Sequence, residues 1–312
     1  MNYKSYDDLC SDIKNNLSQL YEYDFDLVVG IPRSGMIPAY MIALYLNINC
    51  TDLMSFIENK KIKSGETRST RKNLSYPQEA LNILLVDDSI YSGNSMKKNF
   101  EIIPDFLKNR VKKLAIYSLT PGNNDVDIFF EHVSKPRIFE WNIFHKDYIL
   151  TSCIDIDGVL CRDPNDIEND DGERYINFLK NVKPKFTPTG KIHSLVSNRL
   201  EKYRTDTELW LAKYNIDYEN LILQNVQSKQ ERLELGQHAL FKAKYYKDTE
   251  TNLFIESDRI QAEKICEFTN KPVYCVENNH LYTSDSGPFL KPMFKKMKKN
   301  SFIRKIYRLI FN

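Results

Sequence analysis

The chain has little of what marks several classes of protein. Its six cysteines are scattered without a CxxC pair, and its five histidines are not clustered, which argues against zinc and against a disulfide framework. It contains no run of about 18 apolar residues and no apolar core at its N-terminus, so neither a membrane span nor a signal peptide is indicated. Internal repeats and low-complexity tracts are also absent. These absences predict a cytoplasmic protein with reduced cysteines.

The charge is nearly balanced overall but unevenly distributed. The formal net charge is +2, yet residues 291–312 hold eight Lys or Arg and no acid, which leaves −6 on the rest of the chain. The folded part therefore lacks the basic field that nucleic-acid binding requires, and we expect no nucleic-acid partner. A length of 312 residues with 42% hydrophobic and 28% charged residues is typical of two soluble domains.

Apolar strand-like runs alternate with helical patterns in two series. The runs of the first series cover residues 25–31, 80–88, 113–119 and 136–141, and those of the second cover 148–158, 191–198, 252–258 and 271–277. This alternation predicts the α/β class, with a parallel sheet in each of two domains. We place the boundary near Asp147, which gives domains at 1–147 and 148–288 and a tail at 289–312.

The stretch ILLVDDSIYSGNSM, residues 83–96, joins an apolar strand to two acids and a polar loop. Asp87 and Asp88 follow the strand, where ligands bind in open α/β sheets. The loop can wrap backbone N–H groups around a phosphate, with Gly93 allowing the tight turn and a helix beginning near Ser95. Acids beside a phosphate would repel it unless they face sugar hydroxyls or a metal. A phosphorylated sugar satisfies both halves of the motif.

This stretch resembles the phosphoribosyl diphosphate (PRPP) signature of type I phosphoribosyltransferases. The resemblance implies that Asp87 and Asp88 hold the ribose hydroxyls and that a loop holds the 5-phosphate. That loop consists of Tyr91, Ser92, Gly93, Asn94 and Ser95. Serines stand at positions 92 and 95 where the family usually has threonines, and they keep the hydroxyls.

Three further segments extend the resemblance. The turn IPRSG resembles the diphosphate loop of the family and holds Arg33, Ser34 and Gly35. A basic segment falls where the family keeps a mobile lid whose cations stabilise the departing diphosphate; its candidates are Arg68, Arg71 and Lys72. An ordinary solvated loop is the alternative for this basic segment.

The segment FEWNIFHKD supplies candidate acceptor contacts in Trp141, Phe144 and His145. The alternative for this segment is an aromatic hinge between the domains.

A second acid pair lies in CIDIDGVLCRD, where Asp155 and Asp157 follow another apolar strand. Since Ile156 points to the opposite side in the period of a strand, the two carboxylates converge. One carboxylate can attack phosphorus while the other transfers protons. We expect Mg²⁺ to relieve the repulsion between carboxylate and phosphate, because it prefers oxygen ligands.

This second motif resembles motif I of haloacid dehalogenase (HAD) superfamily phosphatases. The resemblance implies a nucleophile at Asp155, a general acid and base at Asp157, and the motif II serine at Ser197. Lys242 is preferred to Lys244 as the motif III lysine, and Arg199 is expected to bind the phosphate of the substrate. The implied metal ligands are Asp155, Asp157, Glu256 and Asp258, with the choice between the last two open. A catalytically inactive HAD fold is the alternative. Because no large cap fits before Ser197, the site is expected to be open.

Together the two domains resemble fused enzymes that install ribofuranose in bacterial O-antigen or capsule. The resemblance implies transfer of 5-phosphoribose from PRPP to a glycan or lipid-linked glycan, followed by loss of the 5-phosphate. The tail, residues 289–312, has the pattern of a basic amphipathic helix for the anionic inner face of the cytoplasmic membrane. A helix docked on the protein itself is the alternative for the tail.

Two other functions stay open. The first domain fits a PRPP-sensing regulator, although Arg33 and the basic lid favour catalysis, because a sensor has no diphosphate to expel. The acceptor also fits a small base or metabolite, since Trp141 and Phe144 are able to cover a ring.

Overall fold

The computed structural model describes residues 1–63, 69–122, 125–145 and 147–284. The chain divides into two compact units, Met1–Ile143 and Phe144–Asn312, whereas the sequence places the boundary near Asp147. Arg68 and the predicted tail, residues 289–312, lie outside the described residues. Every helix within the described ranges is too short or too polar to cross a membrane.

The first unit contains a five-stranded parallel sheet and a two-stranded parallel ribbon. Its strands are β1 Asn2–Lys4, β2 Leu27–Gly30, β3 Asn49–Asp52, β4 Ile83–Ile90, β5 Val111–Ser118, β6 Ile128–His132 and β7 Arg137–Phe139. Its α-helices are α1 Tyr6–Asn16, α2 Met36–Leu46, α3 Leu53–Ile57, α4 Asn94–Glu101 and α5 Asp105–Lys108. The sheet order is β3-β2-β4-β5-β6, and β1 pairs with β7. The predicted α/β class and parallel sheet are confirmed for this unit.

The central strands of this sheet are apolar on both faces because helices and loops cover both. Val28, Leu84 and Val86 belong to one buried cluster, while Leu27 and Leu85 belong to the other. Successive side chains of a strand point to opposite faces, so one apolar run feeds both clusters. This two-sided burial explains why β2 and β4 read as continuous apolar runs in the sequence.

The second unit contains a six-stranded sheet of order β10-β9-β8-β11-β12-β13. Its strands are β8 Ser152–Ile154, β9 Ile192–Leu200, β10 Tyr218–Gln224, β11 Leu253–Glu256, β12 Val273–Cys275 and β13 His280–Tyr282. Its α-helices are α6 Glu173–Asn181, α7 Arg204–Lys213, α8 Lys229–Leu235, α9 His238–Asp248 and α10 Arg259–Thr269. All neighbouring strands are parallel except β12 and β13.

Strands appear where the apolar runs predict them, but with different ends and partners. β4 continues two residues beyond Asp88, so both acids lie within the strand. The run at 136–141 forms β7, which pairs with β1 outside the main sheet. The sequence does not indicate β3, since its letters are NCTD, and its pairing with β2 places it at the sheet edge.

Both acid pairs lie where the direction of strand order reverses. In the first unit β2 and β4 are neighbours, with β3 on one side and β5 on the other; in the second unit β8 and β11 are neighbours, with β9 and β12 on the outside. Open parallel sheets leave a crevice at such a point, beyond the carboxyl ends of the strands. The topology therefore places each acid pair beside a crevice.

The helix α7 offers a matched test of core packing in the second unit. Leu211 is fully buried, whereas Leu209 of the same helix is 61% exposed. Leu211→Ala is expected to lower the free energy of unfolding by about 2–5 kcal/mol, because it removes buried methyl groups and leaves a cavity. Leu209→Ala is expected to change it by less than about 0.5 kcal/mol.

The measurement is urea unfolding followed by the fluorescence of Trp210, in a Trp141→Phe background that leaves one tryptophan. Equal shifts of the midpoint for the two leucine variants would contradict the burial of this face of α7.

Candidate functional site

The diphosphate-loop candidate lies directly against the acid-bearing strand of the first unit. Gly35 makes this approach possible, because a Cβ at this position would lie 2.6 Å from the carbonyl oxygen of Ile31 and 2.7 Å from that of Val86. The Ile31 N–H also donates to the Val86 carbonyl at 2.9 Å. The loop and β4 therefore form one continuous floor at the carboxyl edge of the sheet.

Asp88 is buried and held by a donor on each oxygen. The Ser34 hydroxyl donates to Oδ1 at 2.8 Å and the Trp141 indole N–H donates to Oδ2 at 2.7 Å. Both donors are neutral, so they stabilise the carboxylate without cancelling its charge. Since a carboxylate accepts about four hydrogen bonds, Asp88 keeps capacity for ligand hydroxyls. Asp87 is also buried, and its Oδ1 accepts from the Asp88 main-chain N–H at 2.9 Å.

The predicted phosphate loop forms a turn that opens α4. Gly93 has φ +74°, a left-handed conformation that favours glycine. The other four loop residues, Tyr91, Ser92, Asn94 and Ser95, are exposed. Their exposure and the start of α4 at Asn94 leave backbone N–H groups and hydroxyls available to an anion at this turn.

Lys135 adds a cation beside this loop that the sequence did not reveal. Its Nζ lies 2.5 Å from the Tyr91 hydroxyl and 3.9 Å from the centre of the ring. The hydrogen bond and charge of Lys135 lower the pKa of Tyr91. No spacing in the sequence links the two residues, which lie 44 positions apart, so only the fold shows the contact.

Two of the predicted lid cations lie away from this floor. Arg71 donates to Asp24 at 2.7 Å, and Lys72 bonds Asp24 at 3.0 Å and also Asp26. Asp26 directly precedes β2, so these contacts lie at the amino end of the strand. Arg71 and Lys72 thus pair with acids at the opposite edge of the sheet, and their role in a lid over the diphosphate stays a prediction. Arg33 is exposed on the diphosphate loop, and its guanidinium donates to Asn142 Oδ1 at 2.7 Å.

The three predicted acceptor residues have different surroundings. Trp141 stacks on Phe139 with ring centres 5.0 Å apart and bonds Asp88. Phe144 belongs to the second unit, where its buried ring stacks on Phe186 at 4.4 Å. The acceptor role of Phe144 stays a prediction. His145 is exposed.

Tyr6 is an aromatic neighbour of Trp141 that the sequence did not reveal. Its ring centre lies 5.6 Å from that of Trp141, and its side chain is 43% exposed. Burial and the nearby Glu140 raise the pKa of Tyr6, while Arg33 opposes the rise. Tyr6 and Trp141 therefore form a partly open aromatic surface beside the Asp88 carboxylate, to which Trp141 donates its hydrogen bond.

In the second unit, Lys242 bridges two buried acids. Its Nζ lies 2.6 Å from Asp155 Oδ2 and 2.7 Å from Glu256 Oε2. Burial lowers the pKa of Lys242, but the two carboxylates outweigh it and raise that pKa. Burial raises the pKa of Asp155, and Lys242 opposes the rise. The other motif III candidate, Lys244, is exposed.

Asp157 forms an ion pair with Arg199. Arg199 Nη2 lies 2.7 Å from Asp157 Oδ1, and Nε lies 3.1 Å from Oδ2. Arg199 is 1% exposed and also bonds Thr207. Its guanidinium is buried in a pair with Asp157, and the expected role of Arg199 in binding a substrate phosphate stays a prediction. Ser197, two residues before Arg199 in the chain, is also buried.

The predicted metal-ligand set is not assembled. Glu256 is fully buried, and its Oε1 accepts from the main-chain N–H groups of Ser257 at 2.9 Å and Asp258 at 3.2 Å. Asp157 is paired with Arg199, and Asp155 is paired with Lys242. Within the described ranges, no three His, Cys, Asp or Glu side chains are grouped so as to hold a metal ion.

A cavity of about 680 Å³ lies over these residues in the second unit. Asp155, Ser197, Lys242 and Asp258 line it, whereas Glu256 and Arg199 do not. A buried carboxylate neutralised by a lysine at the floor of an open cavity is suited to approach by a phosphate group, because the net local charge is reduced.

Known proteins resemble the N-terminal part of the chain. Residues 2–150 match the protein-family model described as "Phosphoribosyl transferase domain". A xanthine-guanine phosphoribosyltransferase of Chromohalobacter salexigens is 28% identical over 131 residues, which are 42% of this chain and 76% of that protein. One of Idiomarina loihiensis is 24% identical over 133 residues, 42% of this chain and 79% of that protein. The predicted phosphoribosyltransferase resemblance is confirmed for this part of the chain.

Among solved structures, the xanthine-guanine-hypoxanthine phosphoribosyltransferase of Helicobacter pylori is 18% identical. The match covers 46% of this chain and 92% of that one, with a TM-score of 0.35.

Gly35→Ala is expected to lower the free energy of unfolding of the first unit by about 1–3 kcal/mol, because the added methyl overpacks against two carbonyl oxygens. Gly122→Ala is the matched control, since nothing lies within 4 Å of a Cβ there. Urea unfolding followed by Trp141 fluorescence, in a Trp210→Phe background, measures both. A stability unchanged in Gly35→Ala would contradict the close approach of the loop to β4.

Lys242→Met is expected to cost about 3–5 kcal/mol of stability, because it leaves Asp155 and Glu256 buried without their cation. Lys244→Met is the matched control, and its exposed side chain predicts a change below about 0.5 kcal/mol. Urea unfolding at pH 5 and pH 8 measures both variants.

The cost of Lys242→Met should be greater at pH 8. A buried carboxyl with a raised folded-state pKa contributes stability below its unfolded-state pKa of about 3.9, and this contribution is lost as the pH rises through the folded-state value. A cost that is independent of pH would contradict the pairing of Lys242 with the two acids.

Proposed function

We propose, from the premise that residues 2–150 form a type I phosphoribosyltransferase domain, that this chain transfers 5-phosphoribose from PRPP to a small base or related metabolite. We also propose that the second unit then removes the 5-phosphate. The observation that carries the transfer step is the Asp88 carboxylate, which is buried and, among the described residues, held by the neutral donors of Ser34 and Trp141 beside the Gly93 turn.

The parts of PRPP correspond to separate features of the first unit. Asp87 and Asp88 accept hydrogen bonds from the ribose hydroxyls, and the turn from Tyr91 to Ser95 binds the 5-phosphate through N–H groups and hydroxyls. Arg33 carries a positive charge on the diphosphate loop, where it stabilises the charge that develops as diphosphate leaves. Magnesium accompanies PRPP as part of the substrate.

The acceptor is inferred from two observations. The relatives of this part of the chain are named for xanthine and guanine, which are planar bases. Trp141 and the partly exposed Tyr6 form an aromatic surface beside Asp88, and aromatic rings stack well on planar bases. Both observations favour a small base over the glycan acceptor.

In the second unit, Asp155 is proposed as the nucleophile toward phosphorus. The Asp155 oxygen forms a bond to phosphorus as the ester oxygen leaves, and water then hydrolyses the resulting acyl phosphate. Lys242 neutralises part of the charge, which lowers the repulsion between the carboxylate and an incoming phosphate. Asp157 is the proton-transfer group, oriented by Arg199 at 2.7 Å.

A glycan acceptor is the second candidate, because a phosphate-removing unit fused to a phosphoribosyltransferase would leave an unphosphorylated ribofuranosyl group on the acceptor. The open cavity over Asp155 is the observation in its favour, since it leaves room for a phosphate attached to a large molecule.

The test incubates the full chain with PRPP, magnesium and one acceptor at a time, either xanthine, guanine or hypoxanthine, or a bacterial lipid-linked glycan. Products are identified by mass spectrometry in wild type and Asp155→Asn. We expect the variant to form product heavier by one phosphate, with phosphate release slowed roughly 10³-fold or more. Asp166→Asn is the matched control, because Asp166 is exposed and outside the cavity.

Each failure of this test identifies the step that is wrong. The same unphosphorylated product from wild type and Asp155→Asn would refute the second step. Transfer to glycans and to none of the bases would show that the second candidate acceptor, a glycan, is the correct one. PRPP that binds but is never consumed would favour a regulatory PRPP-binding protein.

A further inference from the structure

The wall of the second-unit cavity contains two polar groups without partners. Arg232, on α8, and Asn198, on β9, both line the cavity. The Nε atom of Arg232 and the Oδ1 atom of Asn198 are buried, and neither has a hydrogen-bond partner among the described residues. An unsatisfied buried polar group costs about 1–3 kcal/mol, so such a pair at a cavity wall points to a ligand that supplies the missing partners.

The two residues are joined to each other. Arg232 Nη1 donates to the main-chain oxygen of Asn198 at 2.7 Å. The side-chain amide of Asn198 donates to Gln261 Oε1 at 3.2 Å, which leaves its oxygen turned away from Gln261. The free donor, Arg232 Nε, and the free acceptor, Asn198 Oδ1, therefore belong to residues that contact each other in the cavity wall.

Arg232 differs from the other arginine of the cavity. Arg162 is paired with Glu168 at 2.5 Å. For Arg232, no carboxylate lies within ion-pair distance among the described residues. Burial and then the charges of Arg232 and Lys242 lower the pKa of the nearby His238, which disfavours a positive charge on its imidazole. The positive charge of this part of the wall thus comes from Arg232.

The combination of donor and acceptor distinguishes the kind of ligand. Hydroxyl groups both accept and donate hydrogen bonds, so a ligand rich in hydroxyls matches the free donor of Arg232 and the free acceptor of Asn198. A phosphate or carboxylate would accept from Arg232 but would place its charge against the amide oxygen. A sugar phosphate offers hydroxyls to this wall while its phosphate reaches Asp155.

We propose that Arg232 and Asn198 form a subsite for the sugar hydroxyls of a sugar phosphate, and so determine the specificity of the second unit. The proposal rests on the proposed phosphate-removing function. The helix α8 has seven residues and connects β10 to α9, the helix that carries Lys242. On this proposal, Arg232 of α8 contributes to substrate selection, while the residues at the strand ends contribute to the chemistry.

The test compares ribose 5-phosphate, which carries hydroxyls, with phenyl phosphate, which carries none. Arg232→Gln and Asn198→Ala are each expected to lower kcat/KM for ribose 5-phosphate about 10-fold, the loss of one hydrogen bond to a charged or buried partner. The values for phenyl phosphate should stay within about 2-fold. Arg174→Gln is the matched control, because Arg174 is exposed and lies outside the cavity lining, and it should leave kcat/KM for both substrates unchanged.

Asn198→Asp separates a hydroxyl from a phosphate at this wall. A carboxylate still accepts from a hydroxyl, so this variant should retain kcat/KM for ribose 5-phosphate within about 3-fold, whereas a phosphate would be repelled. Equal losses for both substrates in Arg232→Gln, or a large loss in Asn198→Asp, would overturn the proposal. So would unchanged values for ribose 5-phosphate.

If wild type hydrolyses neither substrate, the proposed phosphatase function fails and the subsite is tested by binding. Ribose 5-phosphate is titrated calorimetrically into the full chain carrying Asp88→Asn, which removes the sugar clamp of the first unit, with and without Arg232→Gln. Binding about 10-fold weaker in Arg232→Gln, with inorganic phosphate binding unchanged, would support the subsite. Equal affinities would overturn it.

Discussion

A carboxylate buried at the end of a parallel strand must be compensated by donors, and both candidate sites of this chain are arranged around that requirement. Asp88 receives two neutral donors, the Ser34 hydroxyl and the Trp141 indole. Asp155 receives a cation, Lys242, which it shares with Glu256. In each case the compensating group comes from an element distant in sequence, so the contact depends on the fold.

The kind of compensation separates the two chemistries. Neutral donors leave the negative charge of Asp88 in place, and such a carboxylate is suited to hydroxyl groups and not to an anion. A lysine reduces the net charge around Asp155, so a phosphate can approach it. Each unit has its own crevice where its strand order reverses, and the partner of the carboxylate decides what that crevice accepts.

Much of this arrangement could be predicted from local pattern, because a strand followed by acids and a glycine turn encodes its own geometry. β4, Gly93 and the start of α4 are of this kind. The direction of a long cationic side chain is not encoded locally. Arg71 lies at the amino edge of the sheet and Arg199 is buried, since nearby acids that are remote in sequence attract their guanidinium groups.

The sequence by itself determined the two α/β series, the positions of the acid pairs near the carboxyl ends of strands and the resemblance of the first domain to phosphoribosyltransferases. Only the tertiary structure decided which polar groups meet: Trp141 with Asp88, Lys242 with Asp155 and Glu256, and the wall of Arg232 and Asn198. The reason is physical. Apolar periodicity and turn residues act over a few positions of the chain, whereas buried charges and hydrogen bonds are satisfied by whichever groups the packing of distant elements brings within about 3 Å.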